Sequence, residues 1–362
     1  LNTAAVRGLS TAQVEALTSS QVAALTTAQI KAMSTAQIAA IGTDDVVAMT
    51  SAQFAALSSV QVNALNSAQI AVLDAADFTA MGTTVLRALG TAALAALSTT
   101  QIVDLTTAQV AALGSQQLAA LSTAQIAALE TRDVQAMSTI ALRGLSVAQL
   151  DALNSDQIAA LSTRQIVALT SAQVGGWSTA DLNALSTAQA AALGSNQIAA
   201  LSTTQIANLE TADLAAWSTA SLRGLSTAQI AALGTDHVAA LTTTQFKVLG
   251  SAQLAALNTV DIVALSTAQA DSLSSTQVNG LSTAQIAAIE TADLAVMGTA
   301  VVRAFGTDAI QALGSAQLAA LTTAQAASLT STQAAALTTI QITALETQDL
   351  QALSTAAVRA LS

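Results

Sequence analysis

A large apolar residue stands at every eighth position of the chain, from Leu1 to Leu361. A second one follows five places after it: Ile, Val, Leu or Phe, relaxing to Ala only at Ala190, Ala270, Ala326 and Ala334. With Leu1 as position 1, the phrase "LSTAQIAA" begins at Leu121 and returns at Leu225 and Leu281. The register runs without insertion or deletion through 45 octads and a final Leu361-Ser362. Position 8 is usually Ala or Gly, position 5 usually Gln and otherwise often Asp. Position 3 is Ser or Thr in every octad except those holding Ala75 and Val147. A strand would alternate with period 2 and favour β-branched residues, whereas here Ala dominates and the apolar positions group at 6, 8 and 1. One continuous helix also fails: at about 100° per residue the apolar stripe drifts by ~80° in each octad, and no partner could follow it. The pattern predicts a short helix in each octad, stopped and restarted every time.

Position 2 is Ser, Thr, Gly, Asn or Asp in nearly every octad, the set favoured where a short side chain accepts an orphan N–H at a helix start. Gln or Asp three residues later completes a capping box, as in Ser122-Thr123-Ala124-Gln125. Position 3 fits the cap role as well, and the sequence does not separate the two. Glycines at position 2, such as Gly114 and Gly194, also suit a left-handed end to the preceding helix. Charge placement agrees with the helix dipole: 17 of 21 acids lie at positions 2, 4 or 5, and eight of ten basic residues lie at position 7. A lone octad buries too little apolar surface to offset the entropy of ordering it. Stability must come from stacking on neighbours, so the expected fold is all-α: a solenoid, or superhelix, of short helices, one per octad. Small residues at position 8 would let adjacent coils approach closely.

A longer rhythm lies on top. Five times an octad with an acid at position 2 and Asp at position 5 precedes one with Arg at position 7 and no Gln: Asp74/Asp77 with Arg87, Glu130/Asp133 with Arg143, Glu210/Asp213 with Arg223, Glu290/Asp293 with Arg303, and Glu346/Asp349 with Arg359. Arg7 matches the second half of a sixth. Successive arginines are 80, 56, 80, 80 and 56 residues apart. About 3.4 octads per turn would bring all of them near whole turns and line them on one side.

Composition removes whole classes of function. The chain has 362 residues, no Cys and no Pro, one His, 9% charged and 52% apolar residues, and a net charge of −11. So few clustered cations argue against nucleic acid. Ser, Thr and Gln interrupt every octad, so no apolar run reaches the ~18 residues of a membrane span. Zero Cys excludes disulfides and thiolate metal sites. His237 sits where Gln normally caps, with no second His or Cys beside it, and reads as a cap substitute. The Glu-x-x-Asp pairs read as caps joined to the following Arg by inter-octad ion pairs, since calcium wants six or more oxygens from a dedicated loop. The two Trp and four Phe all fall on positions 1 or 6 and read as core. No Ser or Thr has an activating base. The sequence therefore offers no catalytic, cofactor or metal residues, and an enzyme is not expected.

Octads such as "LSTAQIAAL", "LTTAQVAAL" and "LNSDQIAAL" resemble the tandem repeats of giant bacterial surface and secreted proteins, described as adhesin-like or of the RTX type. The resemblance implies export, an extracellular or cell-surface location, and a structural or adhesive role: a stalk, a spacer or a self-associating filament, with a cell-surface or host-surface partner. The glycine-rich calcium nonapeptides typical of RTX regions are missing from this chain. Two other roles fit the octads: binding ice or ordered water through a Ser/Thr ladder, and holding a peptide or protein on a helical scaffold. Residues 1–362 are expected to be one array, part of a longer one, able to associate end to end or laterally.

Overall fold

In the computed structural model, which describes residues 1–361, the short-helix expectation is met in every octad. The described residues form 45 helices of four to six residues and no strand, numbered α1 (Thr3–Arg7) to α45 (Thr355–Ala360) in chain order. Each begins at position 3, which makes position 2 the cap. In α16 (Thr123–Ala127), Ser122 accepts the Gln125 N–H while the Gln125 side chain accepts the Ser122 N–H. The helix closes with a tight bond from Leu129 N–H to the Ile126 carbonyl at 3.2 Å. The corner that follows is two extended residues, such as Leu113 (φ −66°, ψ 136°) and Gly114 (φ −82°, ψ 167°). No described residue has positive φ. The position-2 glycines are therefore extended N-caps and not left-handed helix ends, because the corner is made by extended backbone that any residue can adopt.

The chain groups into two compact units, Leu1–Ala184 and Leu185–Ser362. Within each, a helix packs against the one three further along: α1 on α4 (Thr27–Ala32), for example, and α42 (Ser331–Ala336) on α45. Hydrogen bonds between these layers join residues 25 to 31 apart. Within a unit the chain thus returns over itself after three to four octads, a range that contains the spacing inferred from the arginines. The core is built from positions 1 and 6, as with Leu121 and Ile126. The Trp and Phe side chains, among them Trp217, Phe54 and Phe246, are buried there too.

Position 8 is only half-buried, and its side is where successive layers touch. A Cβ on Gly144 would stand 2.7 Å from the Ser115 Cβ, and one on Gly280 equally close to Ser251. Gly176 faces Val147, the exceptional Val at position 3, in the same way. The larger residue on one layer is matched by the missing side chain on the next.

Candidate functional site

Burial at position 5 is the feature that periodicity alone does not predict. Gln125 is polar yet 3% exposed. Its carbonyl oxygen accepts the Ser122 N–H at 2.7 Å, and its amide donates backward to Leu94 O at 3.1 Å and Leu97 O at 2.6 Å. These acceptors lie 31 and 28 residues earlier. Leu97 is a position-1 residue, past the end of its own helix, so its carbonyl takes a donor from the layer above. One side chain thus caps its own helix and staples it to the preceding layer, with both ends of the amide in use. The arrangement recurs at Gln37, Gln61, Gln149, Gln277 and Gln341, among others.

Other donors at position 5 use the same socket. His237 accepts the Gly234 N–H with Nδ1 at 3.2 Å, and its Nε2 lies 2.7 Å from Leu209 O, 28 residues back. The cap reading of His237 thus describes half of its role. Ser221, far shorter, still donates to Leu193 O at 2.9 Å across the same 28 residues.

Aspartate fits the socket differently, because an ionised carboxylate has nothing to donate. Asp133 is fully buried; its Oδ1 accepts from Thr107 at 2.8 Å and its Oδ2 has no partner. Asp261 Oδ1 and Asp293 Oδ2 are likewise unpartnered. Burial raises the carboxyls of Asp133 and Asp261 above the usual range. It pushes those of Asp213 and Asp293 up to about 6, with the charges of Glu210 and Glu290 adding to the rise. Asp77 also stands at about 6, mainly through burial, with Asp74 adding charge repulsion.

The expected inter-octad ion pairs do not form. Among the described residues the one ion pair is Arg132 with Glu130, inside a single octad and exposed to solvent. Consecutive octads are not the ones that pack together, so an Arg ten residues after its Asp is turned away from it. The capping half of that expectation holds for Asp74, which accepts the Asp77 N–H at 2.9 Å. It fails for Glu130, Glu210, Glu290 and Glu346, none of which caps with its side chain. Glutamate is one methylene longer than the residues that favour this position.

Shallow recesses repeat where one layer meets the next, as between Leu89–Thr91 and Gly114–Gln117 and again between Ile289–Ala292 and Gly314–Gln317. No His, Cys, Asp or Glu group of three forms a metal-binding cluster among the described residues, and no described helix is long and apolar enough to cross a membrane. The position-5 geometry joins layers.

Comparison with curated proteins returns no match. The ALTTAQ repeat, a known repeat family, matches residues 1–27, 23–51, 38–75, 70–107, 104–131, 126–163, 177–211, 206–243, 254–288, 286–323 and 342–362. These segments tile most of the chain, and the family's name is legible in the octads themselves, as in Ala24-Leu25-Thr26-Thr27-Ala28-Gln29. The protein belongs to the ALTTAQ repeat family.

Proposed function

We propose that the chain is a helical solenoid serving as the repetitive shaft of an extracellular or cell-surface bacterial protein, a stalk, spacer or self-associating filament without catalytic activity. The observation that carries this reading is the glutamine staple. Octads with Gln at position 5 repeat the same bonds to carbonyls 28 and 31 residues behind them, so length is added without designing a new core. Self-association belongs to the same proposal. Ice binding and peptide holding are the other two readings.

The test is small-angle scattering on chains with whole octads added or removed, over a series of concentrations. Under the shaft reading the maximum dimension scales with octad number, and particles lengthen with concentration. A compact particle whose size ignores octad number overturns it. Thermal hysteresis would favour the ice reading, and saturable peptide binding the scaffold.

A further inference from the structure

Position 5 is a socket for a hydrogen-bond donor. Glutamine, His237 and Ser221 all reach from it to the carbonyl 28 residues back. By the same register, Asp133 stands over the carbonyls of Ile102 and Leu105, Asp261 over those of Ile230 and Leu233, and Asp293 over those of Ile262 and Leu265. All three aspartates are at most 2% exposed, and each has one oxygen without a partner. Reach is no obstacle, since the shorter Ser221 spans the gap at 2.9 Å.

We propose that Asp133, Asp261 and Asp293 act as acid-operated staples: as neutral carboxylic acids each donates its O–H to the carbonyl 28 residues earlier, and on losing the proton each turns a negative oxygen toward carbonyl oxygens and loosens that layer. The array is therefore tightened by mild acid.

Burial favours the neutral form of each carboxyl, joined at Asp293 by the charge of Glu290 and opposed at Asp133 by the Thr107 hydroxyl and Arg132. Asp133, on α17 (Thr131–Ala136), has Glu130 and Arg132 beside it. The layers against it bring Asp104 at the end of α13 (Thr99–Val103), no charge from α14 (Thr107–Ala112), Asp156 on α20 (Ser155–Ala159) and Arg164 on α21 (Thr163–Ala168). Asp261, on α33 (Thr259–Val263), faces Asp236 and His237 on α30 (Thr235–Ala240). It meets no charge on α29 (Thr227–Ala231) or α36 (Thr283–Ala288), and Glu290 and Asp293 at α37 (Thr291–Val296). Asp293 has Glu290 on its own element, Asp261 on α33, Asp271 on α34 (Thr267–Asp271), and no charge on α40 (Ser315–Ala319) or α41 (Thr323–Ser328). Acids outnumber bases around all three.

The direction with pH follows. A carboxyl raised on folding contributes stability that is complete below its unfolded value of about 3.9 and is lost as pH rises through its folded value. For Asp293 that loss is centred at about 6.

The experiment is thermal unfolding of the full chain between pH 7.5 and 4.5. The melting temperature should rise on acidification by on the order of 5 °C. In the triple variant Asp133→Asn, Asp261→Asn, Asp293→Asn the donor is permanent, so the share of that rise owed to these three should vanish, leaving the share owed to the raised carboxyls of Asp77 and Asp213, and the melting temperature at pH 7.5 should increase. The control Asp44→Asn, Asp151→Asn, Asp308→Asn removes three exposed charges that do not face the staples and should keep the rise, which separates the staples from relief of net negative charge. Carboxyl carbon NMR on the wild type, assigned with single Asn variants, should show the three buried groups titrating above the ordinary aspartate range. A melting temperature that stays flat or falls with acid overturns the proposal. So does a triple variant that keeps the full slope, or titration at ordinary values. Stabilisation by added potassium or calcium at pH 7.5, present in the wild type and absent in the triple variant, would assign the sockets to a cation and also overturn it.

Discussion

A glutamine at position 5 meets two demands at once, as His237 does in its own octad. A capping box asks only for an acceptor and would take Glu as readily as Gln. The carbonyls of the layer below ask for donors. Of the 45 octads, 28 carry Gln at position 5 and none carries Glu, so the second demand is decisive. Gln125 makes the comparison measurable. Gln125→Ala leaves the Ser122 N–H and the Leu97 carbonyl without their partner and should cost about 2 kcal/mol in denaturant unfolding. Gln125→Glu keeps shape and cap but sets a buried charge against two carbonyls. It should cost about 3 kcal/mol or more at pH 7 and recover much of the loss at pH 5. If Glu proves milder than Ala at pH 7, position 5 is a cap and not a staple. The cap itself was legible in Ser122-x-x-Gln125. The staple was legible only in the absence of Glu, since periodicity assigns polar residues outward and cannot see an amide whose partners are 28 residues away.

At the scale of one helix, the sequence read correctly because start and stop signals are local. Eight residues hold a cap, little more than a turn of helix and a buried position-1 side chain, and these suffice to predict every element. What escaped was which octads touch. The Glu130/Asp133 and Arg143 octads are neighbours in sequence, but packing joins a helix to the one three further on, so adjacency suggested ion pairs that geometry forbids. The glutamates at position 2 are the weak caps of the array. Glu130 makes no cap bond and sits beside the buried Asp133, raising its proton affinity further. Replacing it with the usual residue, Glu130→Ser, should stabilise the chain by about 1 kcal/mol at pH 7, by supplying a cap and removing a repulsive charge. The converse change, Ser122→Ala, should cost about as much. Equal and opposite shifts in urea midpoint would check both. Destabilisation by Glu130→Ser would mean that its contact with Arg132 matters more than exposed pairs usually do.

Across a whole unit, the staple register turns a local repeat into a rule about length. Gln149 donates to Leu118 and Leu121, which hold positions 6 and 1 of their octads. Deleting the octad Leu121–Ala128 would bring Gln149 over Val110 and Leu113, again positions 6 and 1. Every layer would find equivalent acceptors, apolar knobs and small position-8 residues. Deleting only Leu121–Ala124 would bring it over Gly114 and Gln117, positions 2 and 5, where the octad offers a cap and another glutamine. The apolar positions would then slip off the core by half an octad. The eight-residue deletion should keep the helical circular dichroism per residue and shift the melting temperature by only a few degrees, about the size expected for 1 kcal/mol in a unit this large. The four-residue deletion, though it removes less chain, should lose amide exchange protection in the layers on both sides of the cut. The damage should stay near the cut, because each octad bonds only to its near neighbours along the array. If the two deletions behave alike, the hydrogen-bond register does not hold the layers together, and apolar burial alone carries the fold.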